Sequence, residues 1–243
     1  MTVSAFLSPC EINQALLAGS WVIVVDVLRA TSTIATALHN GAARIQPAAS
    51  ALEARELAGR VKNIPVLLGG EKDGFRIDGF DFGNSPLEYV PEKVKGRAII
   101  FKTTNGTKTF LRVKSADKIL FGSFLNAKAI SRFLNRQRPD RIIFANSGLK
   151  GYFSLEDAVC SGYIISQLSE QNPENDGATG CLALAKQLSG DVRKLLFEKS
   201  KHGKYLKNKG FAADLAYCSQ KDLLQVVPVF DVEQNGIVPL DTD

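Results

Sequence analysis

Residues 21–33 read Trp21-Val-Ile-Val-Val-Asp-Val-Leu-Arg-Ala-Thr-Ser-Thr33, and this stretch decides the fold. It opens on a continuous apolar run rich in β-branched side chains, which is typical of a strand buried on both faces of a mostly parallel sheet. The run ends at Asp26, and the hydroxyl residues that follow lead into apolar residues at helical spacing as far as Leu38. Asn40-Gly41 then marks a helix end. The stretch therefore predicts a strand, a polar turn and a helix.

The same pattern returns about 74 residues further along the chain, where Arg97-Ala-Ile-Ile-Phe101 precedes another hydroxyl-rich turn and Thr107 takes the place of Thr33. A third unit starts with Arg141-Ile-Ile-Phe-Ala145 and leads into a helix from about Leu155 to Leu168. This alternation predicts an α/β fold of three layers, with a mostly parallel or mixed sheet and helices on both faces. In such folds ligands bind at the carboxyl ends of the strands.

The repeat predicts a single unit over residues 1–243, or two related and intertwined halves of about 1–92 and 93–243 with the site between them. The sequence also predicts a short strand at Arg44–Pro47, a Ser-capped helix over Ser50–Lys62 and an ordered functional loop over Gly69–Pro86. After the third unit it predicts a plain polar connection over Gln171–Gly180, a basic helix over Asp191–Lys209 and a closing strand over Val226–Val232.

Composition and charge exclude several classes of protein. A hydrophobic fraction of 45% and a charged fraction of 23% argue against a disordered or low-complexity chain. The net charge of +5 suits an anionic small molecule, and no alternation of aromatic and basic residues suggests a nucleic-acid surface. No signal segment or membrane span is predicted, and four scattered cysteines without a CxxC pair suggest reduced thiols. We expect a cytoplasmic protein that binds neither membranes nor nucleic acid.

Polar residues after the first strand could form a phosphate site. Asp26 follows the strand, and Thr31, Ser32 and Thr33 stand where free helix N–H groups favour an anion. Arg29 lies between them and can donate two hydrogen bonds to phosphate oxygens. A carboxylate, an arginine and a helix start together describe a phosphate site with Mg²⁺. An ordinary hydroxyl cap beside a structural salt bridge explains the same residues equally well.

The second turn, Thr103-Thr-Asn-Gly-Thr107, offers hydroxyls, an amide and a glycine that permits close backbone approach. It lacks the pattern of a Walker loop, and a simple turn with a helix cap is the alternative. Glu71 and the pair Glu156-Asp157 are further candidate carboxylates, although solvated surface positions or helix starts would also account for them. His202 stands in the basic run Lys199–Lys209, which is either a solvated face or an electrostatic funnel for anions.

Taken together, five motifs resemble the 2-phosphosulfolactate phosphatase (ComB) family in order and spacing. They are Asp26-Val-Leu-Arg-Ala-Thr-Ser-Thr33, Gly70-Glu71, Gly79-Phe-Asp-Phe-Gly-Asn-Ser-Pro86, Thr103-Thr-Asn-Gly-Thr107 and Leu155-Glu-Asp-Ala158. The ending is also similar, with His202-Gly203, Gly210, Asp214, Cys218, Asp222 and Pro228. One departure is visible, because Lys72 follows Glu71 where the family would have arginine, and lysine cannot make the same two-pronged contact.

The resemblance implies a Mg²⁺-dependent hydrolase that converts (2R)-2-phospho-3-sulfolactate to (2R)-3-sulfolactate and phosphate in coenzyme M biosynthesis, with a ComB-like fold and a homodimeric assembly. It implies catalytic roles for Asp26, Arg29, Glu71 and Asn105. Substrate binding is expected from Thr31, Ser32, Thr33, Asn84, Ser85, Thr103, Thr104, Gly106 and Thr107. Mg²⁺ would be held by Asp26, Glu71 and one of Glu156 or Asp157, since Mg²⁺ prefers oxygen ligands.

Two other functions remain open on the sequence. A phosphatase for another small phospho-hydroxy acid would keep every residue role and change only specificity. A non-catalytic anion-binding protein would use the same positive charges and helix starts without turnover. The sequence also leaves open whether water attacks the phosphorus directly or a carboxylate is phosphorylated first.

Overall fold

The computed structural model describes residues 1–240 and has an α/β fold with a large mixed sheet, as predicted. Its strands are β1 (Thr2–Phe6), β2 (Trp21–Val25), β3 (Arg44–Pro47), β4 (Val66–Lys72), β5 (Phe75–Arg76), β6 (Ala98–Lys102), β7 (Lys118–Gly122), β8 (Arg141–Asn146), β9 (Asn172–Pro173), β10 (Pro228–Asp231) and β11 (Gly236–Pro239). Its helices are α1 (Ala30–His39), α2 (Ala51–Arg60), α3 (Pro91–Val94), α4 (Gly106–Val113), α5 (Ala127–Gln137), α6 (Leu155–Ile165), α7 (Asp176–Leu188), α8 (Val192–Lys194), α9 (Lys201–Asn208) and α10 (Ala212–Cys218).

The strands form one sheet in the order β5-β4-β6-β3-β11-β10-β7-β2-β8-β1-β9. Two parallel groups, β4-β6-β3 and β7-β2-β8-β1, are joined through the antiparallel strands β11 and β10. β2 lies between β7 and β8, while β6 lies between β3 and β4. Strands from residues 1–92 and 93–243 therefore interleave, so neither segment holds a separate sheet. The division into two related halves stays a prediction.

The strand that decides the fold is buried on both faces, as its β-branched run predicts. Val22 and Val24 pack into a core that also contains side chains of β6, β7, α1 and α4. Ile23 and Val25 point the other way, into a core shared with α5, α6 and α7. Helices thus cover both faces of the sheet, and α1 is buried over almost its whole length. Full burial of each such aliphatic side chain contributes about 1.5–3 kcal/mol.

The strand predicted at Arg44–Pro47 and the Ser50-capped helix are confirmed, and the closing strand is found as β10. The plain connection predicted for Gln171–Gly180 is wrong, because it contains β9 and the start of α7. One of its two glycines is a packing site, since a methyl group on Gly177 would lie 2.0 Å from the Ala5 carbonyl oxygen. Close packing against β1 explains the glycine at that position.

The prediction of a single basic helix over Asp191–Lys209 is also wrong. The segment is broken into α8, a π-helical turn at Leu195–Lys199, and α9. Ser200 makes the break because its backbone is extended and its hydroxyl accepts a hydrogen bond from the Gly203 N–H at 2.8 Å, which starts a new helix. Among the helices of residues 1–240, none is long and apolar enough to cross a membrane.

Candidate active site

A cavity of about 420 Å³ opens beside the carboxyl ends of β2, β4 and β6. Seven of the predicted site residues line it: Asp26, Arg29, Glu71, Asn84, Thr103, Thr104 and Asn105. The loop after β8 adds Leu149, Lys150, Tyr152 and Phe153, and α9 adds Lys201, His202, Tyr205 and Leu206. Leu28, Asp73 and Gly74 complete the wall. The predicted location, at the ends of the strands, is where the structure places the cavity.

Asp26 is the carboxylate at the end of β2, and it is only 6% exposed. Among the described residues its carboxylate accepts one long hydrogen bond, from the Ala30 N–H to Oδ1 at 3.4 Å. Burial raises the pKa of Asp26 to about 6, the positive charge of His202 lowers it, and the charges of Glu71 and Glu156 raise it. This carboxylate is therefore poorly compensated by protein groups and is oriented into a site where other charges meet.

Arg29 lies at the start of α1, and its side chain is 2% exposed. Nη1 donates to Asp214 Oδ2 at 2.5 Å, and Nη2 donates to the Gly74 carbonyl oxygen at 2.6 Å. The guanidinium carbon lies 4.1 Å from the centre of the Phe211 ring. A guanidinium group has five N–H donors, so donors beyond these two bonds remain for a ligand in the cavity.

Glu71 lies near the end of β4 and connects two turns that border the cavity. Its Oε1 accepts from the Thr104 N–H at 2.7 Å, and its Oε2 accepts from the Gly74 N–H at 2.8 Å. The turn after β6 and the β4–β5 hairpin are thereby held together by one carboxylate. Each oxygen retains a second lone pair, so these bonds leave acceptor capacity on Glu71.

The hydroxyl groups at the start of α1 bind backbone atoms of the protein and do not line the cavity. Thr31 donates to the Asp26 carbonyl oxygen at 2.9 Å, Ser32 to that of Val27 at 2.8 Å, and Thr33 to that of Asn84 at 2.9 Å. They shape the turn that presents Asp26. Their predicted role as phosphate ligands stays a prediction. The bonds that they make are not a helix cap either, because the hydroxyls donate to carbonyl oxygens and the N-cap position of α1 makes no side-chain hydrogen bond.

Residues of the second turn divide between the cavity and the start of α4. Thr103 accepts from the Thr107 N–H at 3.1 Å, and Thr107 accepts from the Thr103 N–H at 3.2 Å, which is a reciprocal cap. Asn105 Oδ1 accepts from the Lys150 N–H at 3.2 Å and so ties this turn to the loop after β8. Thr107 and Gly106 lie behind the cavity wall.

Gly106 brings the starts of α1 and α4 together. A methyl group there would lie 2.9 Å from Ala30 Cβ, 3.0 Å from Asp26 Oδ2 and 3.3 Å from Thr103 Oγ1. Replacement by alanine would therefore force the two helix starts apart. Close approach to Asp26 is the physical reason for a glycine in this motif.

We expect Gly106→Ala to lower the free energy of unfolding by about 1–3 kcal/mol, which is the usual cost of overpacking a tight contact. Chemical denaturation at equilibrium measures the change. Gly180→Ala in α7 is the matched control, because a methyl group there meets no atom within 4 Å; it should be neutral or stabilising by up to about 1 kcal/mol. Equal effects of the two substitutions would contradict the assignment of Gly106 to a close contact.

Glu156 and Asp157 are both buried at the start of α6, and neither lines the cavity. Burial alone would raise the pKa of Glu156, but the hydrogen bond and charge of His202, with the hydroxyl of Ser200, hold it below its ordinary value. Its Oε1 lies 3.5 Å from His202 Nδ1, and its Oε2 accepts from Ser200 Oγ at 2.7 Å. Glu156 thus fixes the imidazole that faces the cavity.

Asp157 joins the loops after β2 and β8. Oδ1 accepts from the Val27 N–H at 2.9 Å, and Oδ2 accepts from the Gly148 N–H at 3.1 Å. Burial raises the pKa of Asp157 well above its ordinary value, and the charges of Glu156 and Asp26 raise it further. In this structure Asp157 supports two cavity loops, and its role as a metal ligand stays a prediction.

Asn84 and Ser85 form part of the long loop that the sequence predicts to be functional. Asn84 lines the cavity, is 6% exposed, and its Oδ1 has no hydrogen-bond partner in the part of the chain described. A buried acceptor without a partner is uncommon and marks a place where a ligand or water donates. Ser85 lies behind the wall, with its hydroxyl bonded to Asp214 Oδ1 at 2.6 Å.

The end of the strand Arg141–Ala145 is one of the strand ends at which the sequence predicts ligand binding, but the residues of the loop after β8 were not among the predicted site residues. Lys150 adds a cation, while Tyr152 and Phe153 are 78% and 48% exposed at the mouth of the cavity. The polar Asn146-Ser-Gly turn after a predicted strand was the available signal, because the first two such turns already carried candidate residues. The basic run supplied Lys201 and His202 to the cavity, which favours its reading as a funnel for anions.

The residues present fit a divalent cation that keeps most of its water. Within residues 1–240, no three His, Cys, Asp or Glu side chains form a group that could hold a metal ion on their own. Asp26 and Glu71 nevertheless offer carboxylate oxygens on the same cavity wall, and Asp26 has little compensation from protein donors. Mg²⁺ is usually bound through one or two carboxylates together with water and phosphate oxygens. The donor set therefore suits Mg²⁺ better than a metal that needs a complete protein cage.

A cavity at the carboxyl ends of parallel strands, with Arg29, Lys150 and Lys201 in the same wall as Asp26, is typical of an α/β enzyme that acts on a small anion. The model of the 2-phosphosulpholactate phosphatase family matches residues 6–233. The chain belongs to this family, which confirms the resemblance found in its five motifs.

Curated relatives cover almost the whole chain. A protein of Clostridium perfringens named probable 2-phosphosulfolactate phosphatase is 42% identical over 231 residues, which is 93% of this chain and 92% of that protein. A protein of Carboxydothermus hydrogenoformans with the same name is 42% identical over 89% of each chain. One from Gloeobacter violaceus, also so named, is 38% identical over 94% of each chain.

Proposed function

We propose that the protein is a Mg²⁺-dependent phosphatase that hydrolyses (2R)-2-phospho-3-sulfolactate to (2R)-3-sulfolactate and phosphate. Membership of the family and the names of relatives that match nearly end to end support the reaction. Such a substrate carries a phosphate, a sulfonate and a carboxylate. A cavity with four basic side chains, Arg29, Lys150, Lys201 and His202, suits that charge.

One observation carries the proposal: the Asp26 carboxylate is buried on the cavity wall without a short hydrogen bond, beside Arg29. A carboxylate in that state is available for work on a ligand, either toward a cation or toward phosphorus. Arg29 supplies charge-assisted N–H donors for the phosphate oxygens, on which negative charge gathers in the transition state. These two residues together define the end of the cavity where the phosphate would lie.

The remaining residues would hold the other parts of the substrate. Thr103, Thr104 and Asn105 offer neutral hydrogen-bonding groups, and the unpartnered Oδ1 of Asn84 would accept from the sulfolactate hydroxyl that forms when the leaving oxygen takes up a proton. Lys150 and Lys201 lie in the same wall and would attract the second and third anionic groups. Tyr152 and Phe153 at the mouth would limit access of water.

Asp26 and Glu71 would hold Mg²⁺, with waters and phosphate oxygens as its other ligands. When bound, the ion neutralises charge on the phosphate and lowers the pKa of a bound water. Hydrolysis replaces the bond between phosphorus and the sulfolactate oxygen with a bond to a water oxygen, and the leaving oxygen takes up a proton. The Asp26 carboxylate can serve either as a metal ligand that orients the attacking water or as the group that is phosphorylated first. It is essential in both routes.

A panel of phosphorylated hydroxy acids, assayed by phosphate release, tests the proposal. The panel contains 2-phospho-3-sulfolactate, phospholactate and phosphoglycolate, each with Mg²⁺ and with EDTA. We expect 2-phospho-3-sulfolactate to give the highest kcat/KM, by at least about 10-fold, because each lost charge pair costs about 1.5–3 kcal/mol. We expect EDTA to abolish turnover.

The same panel discriminates the alternatives. Preference for phospholactate would favour a phosphatase for a different small phospho-hydroxy acid, and tight binding without phosphate release would favour an anion-binding protein. The departure at Lys72 does not by itself favour a different substrate, because Lys72 and Arg76 are exposed on the β4–β5 hairpin and neither lines the cavity.

We further propose a homodimer in the cytoplasm that has no nucleic-acid partner. Light scattering at micromolar concentration tests the assembly, and a monomer would contradict it. A place in coenzyme M biosynthesis rests on the substrate alone and follows only if the panel selects 2-phospho-3-sulfolactate.

A further inference from the structure

Arg29 is a fully charged side chain held almost entirely out of solvent, so its position depends on the groups around it. The main partner is Asp214 of α10, which lies 185 residues away in sequence and 2.5 Å away in space. Asp214 is itself 3% exposed, and it does not line the cavity. The pair is therefore a buried ion pair set immediately behind the phosphate end of the site.

Asp214 is fixed on its other side. Its Oδ1 accepts from Ser85 Oγ at 2.6 Å, while its Oδ2 accepts from Arg29 Nη1. The guanidinium plane is also bounded by the Phe211 ring at 4.1 Å and by the Gly74 carbonyl oxygen at 2.6 Å. Three contacts from two segments, the start of α10 and the β4–β5 turn, thus determine one orientation of the guanidinium, and its remaining donors are left to the cavity.

We propose that Asp214 is a positioning residue for the phosphatase reaction, with Ser85 supporting it, and that both act through Arg29. The inference rests on the proposed role of Arg29 at the phosphate. A free arginine side chain can adopt many rotamers, and a phosphate site gains from a guanidinium that is already oriented. Asp214 supplies this orientation without touching the substrate.

A double-mutant cycle tests whether Asp214 acts through Arg29. We expect D214N to lower kcat/KM about 10–100-fold and to weaken competitive inhibition by inorganic phosphate by about 10-fold. In an R29M background, D214N should change kcat/KM by less than about 3-fold, because the group that it positions is gone. If the losses in kcat/KM caused by D214N and R29M multiplied independently in the double mutant, the proposal would be overturned, because Asp214 would then have a general structural role.

Ser85→Ala keeps the test decisive if D214N folds poorly, since it removes one hydrogen bond and leaves no buried charge unpaired. It should raise the phosphate inhibition constant about 3–10-fold with little change in thermal unfolding. Ser219→Ala is the control: this hydroxyl, at the end of the same helix, bonds only the Ala216 carbonyl oxygen among described groups, and phosphate inhibition should be unchanged. A folded S85A protein with wild-type phosphate inhibition would overturn the proposal.

Failure of the proposed function is distinguishable from failure of this inference. If R29M keeps full turnover, Arg29 is not at the phosphate and the positioning role falls with it. If the wild-type chain hydrolyses no substrate of the panel, the double-mutant cycle can still be measured as the affinity for inorganic phosphate, determined by calorimetry for wild type, D214N and R29M. Phosphate affinity that D214N leaves unchanged would then overturn the inference on its own.

Discussion

Replacing Asp26 by asparagine is expected to abolish phosphatase turnover and, at the same time, to stabilise the metal-free protein at neutral pH. Asparagine keeps the size of the side chain and can accept from the Ala30 N–H, but it removes the charge that would hold Mg²⁺ or act on phosphorus. Loss of a carboxylate with either role lowers kcat by at least about 10³-fold.

The stabilising effect follows from the direction of the pKa shift. Burial raises the pKa of Asp26 from 3.8 to about 6, so the native state binds a proton more tightly than the unfolded chain does. The free energy of unfolding therefore falls as pH rises through the interval from about 4 to about 6, and above it the ionised carboxylate costs about 3 kcal/mol. Asp26→Asn removes this cost, so the advantage of the variant should appear above pH 6 and disappear below pH 4.

Urea unfolding in EDTA at pH 8 and at pH 4 measures this difference, and adding Mg²⁺ to the wild type should recover stability that the variant cannot recover. Asp78→Asn is the control, because this aspartate is exposed and lies outside the cavity wall. Near-normal turnover in Asp26→Asn would refute the assigned role. A variant less stable than wild type at pH 8 would refute the electrostatic account of the site.

Mass spectrometry of a rapidly quenched reaction separates the two mechanisms that keep Asp26 essential. A phosphoryl group on the peptide that contains Asp26 would establish phosphorylation of the carboxylate as the first step. Unmodified peptide during steady turnover would favour direct attack by water. The stability prediction is the same in both cases, since it depends only on the buried charge.

The parts of the site that sequence predicted well are those fixed by a local pattern and one general rule. The β-branched run before Asp26 defines a buried strand, and the rule that ligands meet the carboxyl ends of parallel strands then brings Asp26, Glu71 and Thr103 to one cavity. The rule needs no knowledge of strand order. It therefore succeeded even though β2 and β6 lie in different parallel groups.

The hydroxyl residues Thr31–Thr33 show where such reasoning stops. A hydroxyl at a helix start can bind an anion or cap the backbone, and the two uses require the same residue types. In this chain the side chains bond to backbone carbonyl groups, a choice set by packing that no local pattern contains. The partners of Arg29 are hidden for a related reason, because Asp214 is brought to it from a distant helix only by the complete fold.

Arg29→Lys is expected to lower kcat/KM by about 10²–10³-fold, which corresponds to the loss of one or two well-placed donors to a developing charge. The positive charge survives, so this loss measures geometry. A lysine has one nitrogen with three donors and cannot bond Asp214, the Gly74 carbonyl oxygen and a phosphate while its charge lies over the Phe211 ring. The ammonium group should settle on Asp214, because leaving that buried carboxylate unpaired costs about 3–5 kcal/mol.

The variant should therefore fold, keep most of its stability and fail chiefly in catalysis. Steady-state kinetics with Mg²⁺ measure kcat and KM separately, and a fall in kcat at nearly constant KM would place the guanidinium contact in the transition state. Arg60→Lys at the exposed end of α2 is the matched control and should leave both constants unchanged. If Arg29→Lys behaved like that control, a point charge would be enough for the phosphate, and the three contacts that orient the guanidinium would serve stability alone.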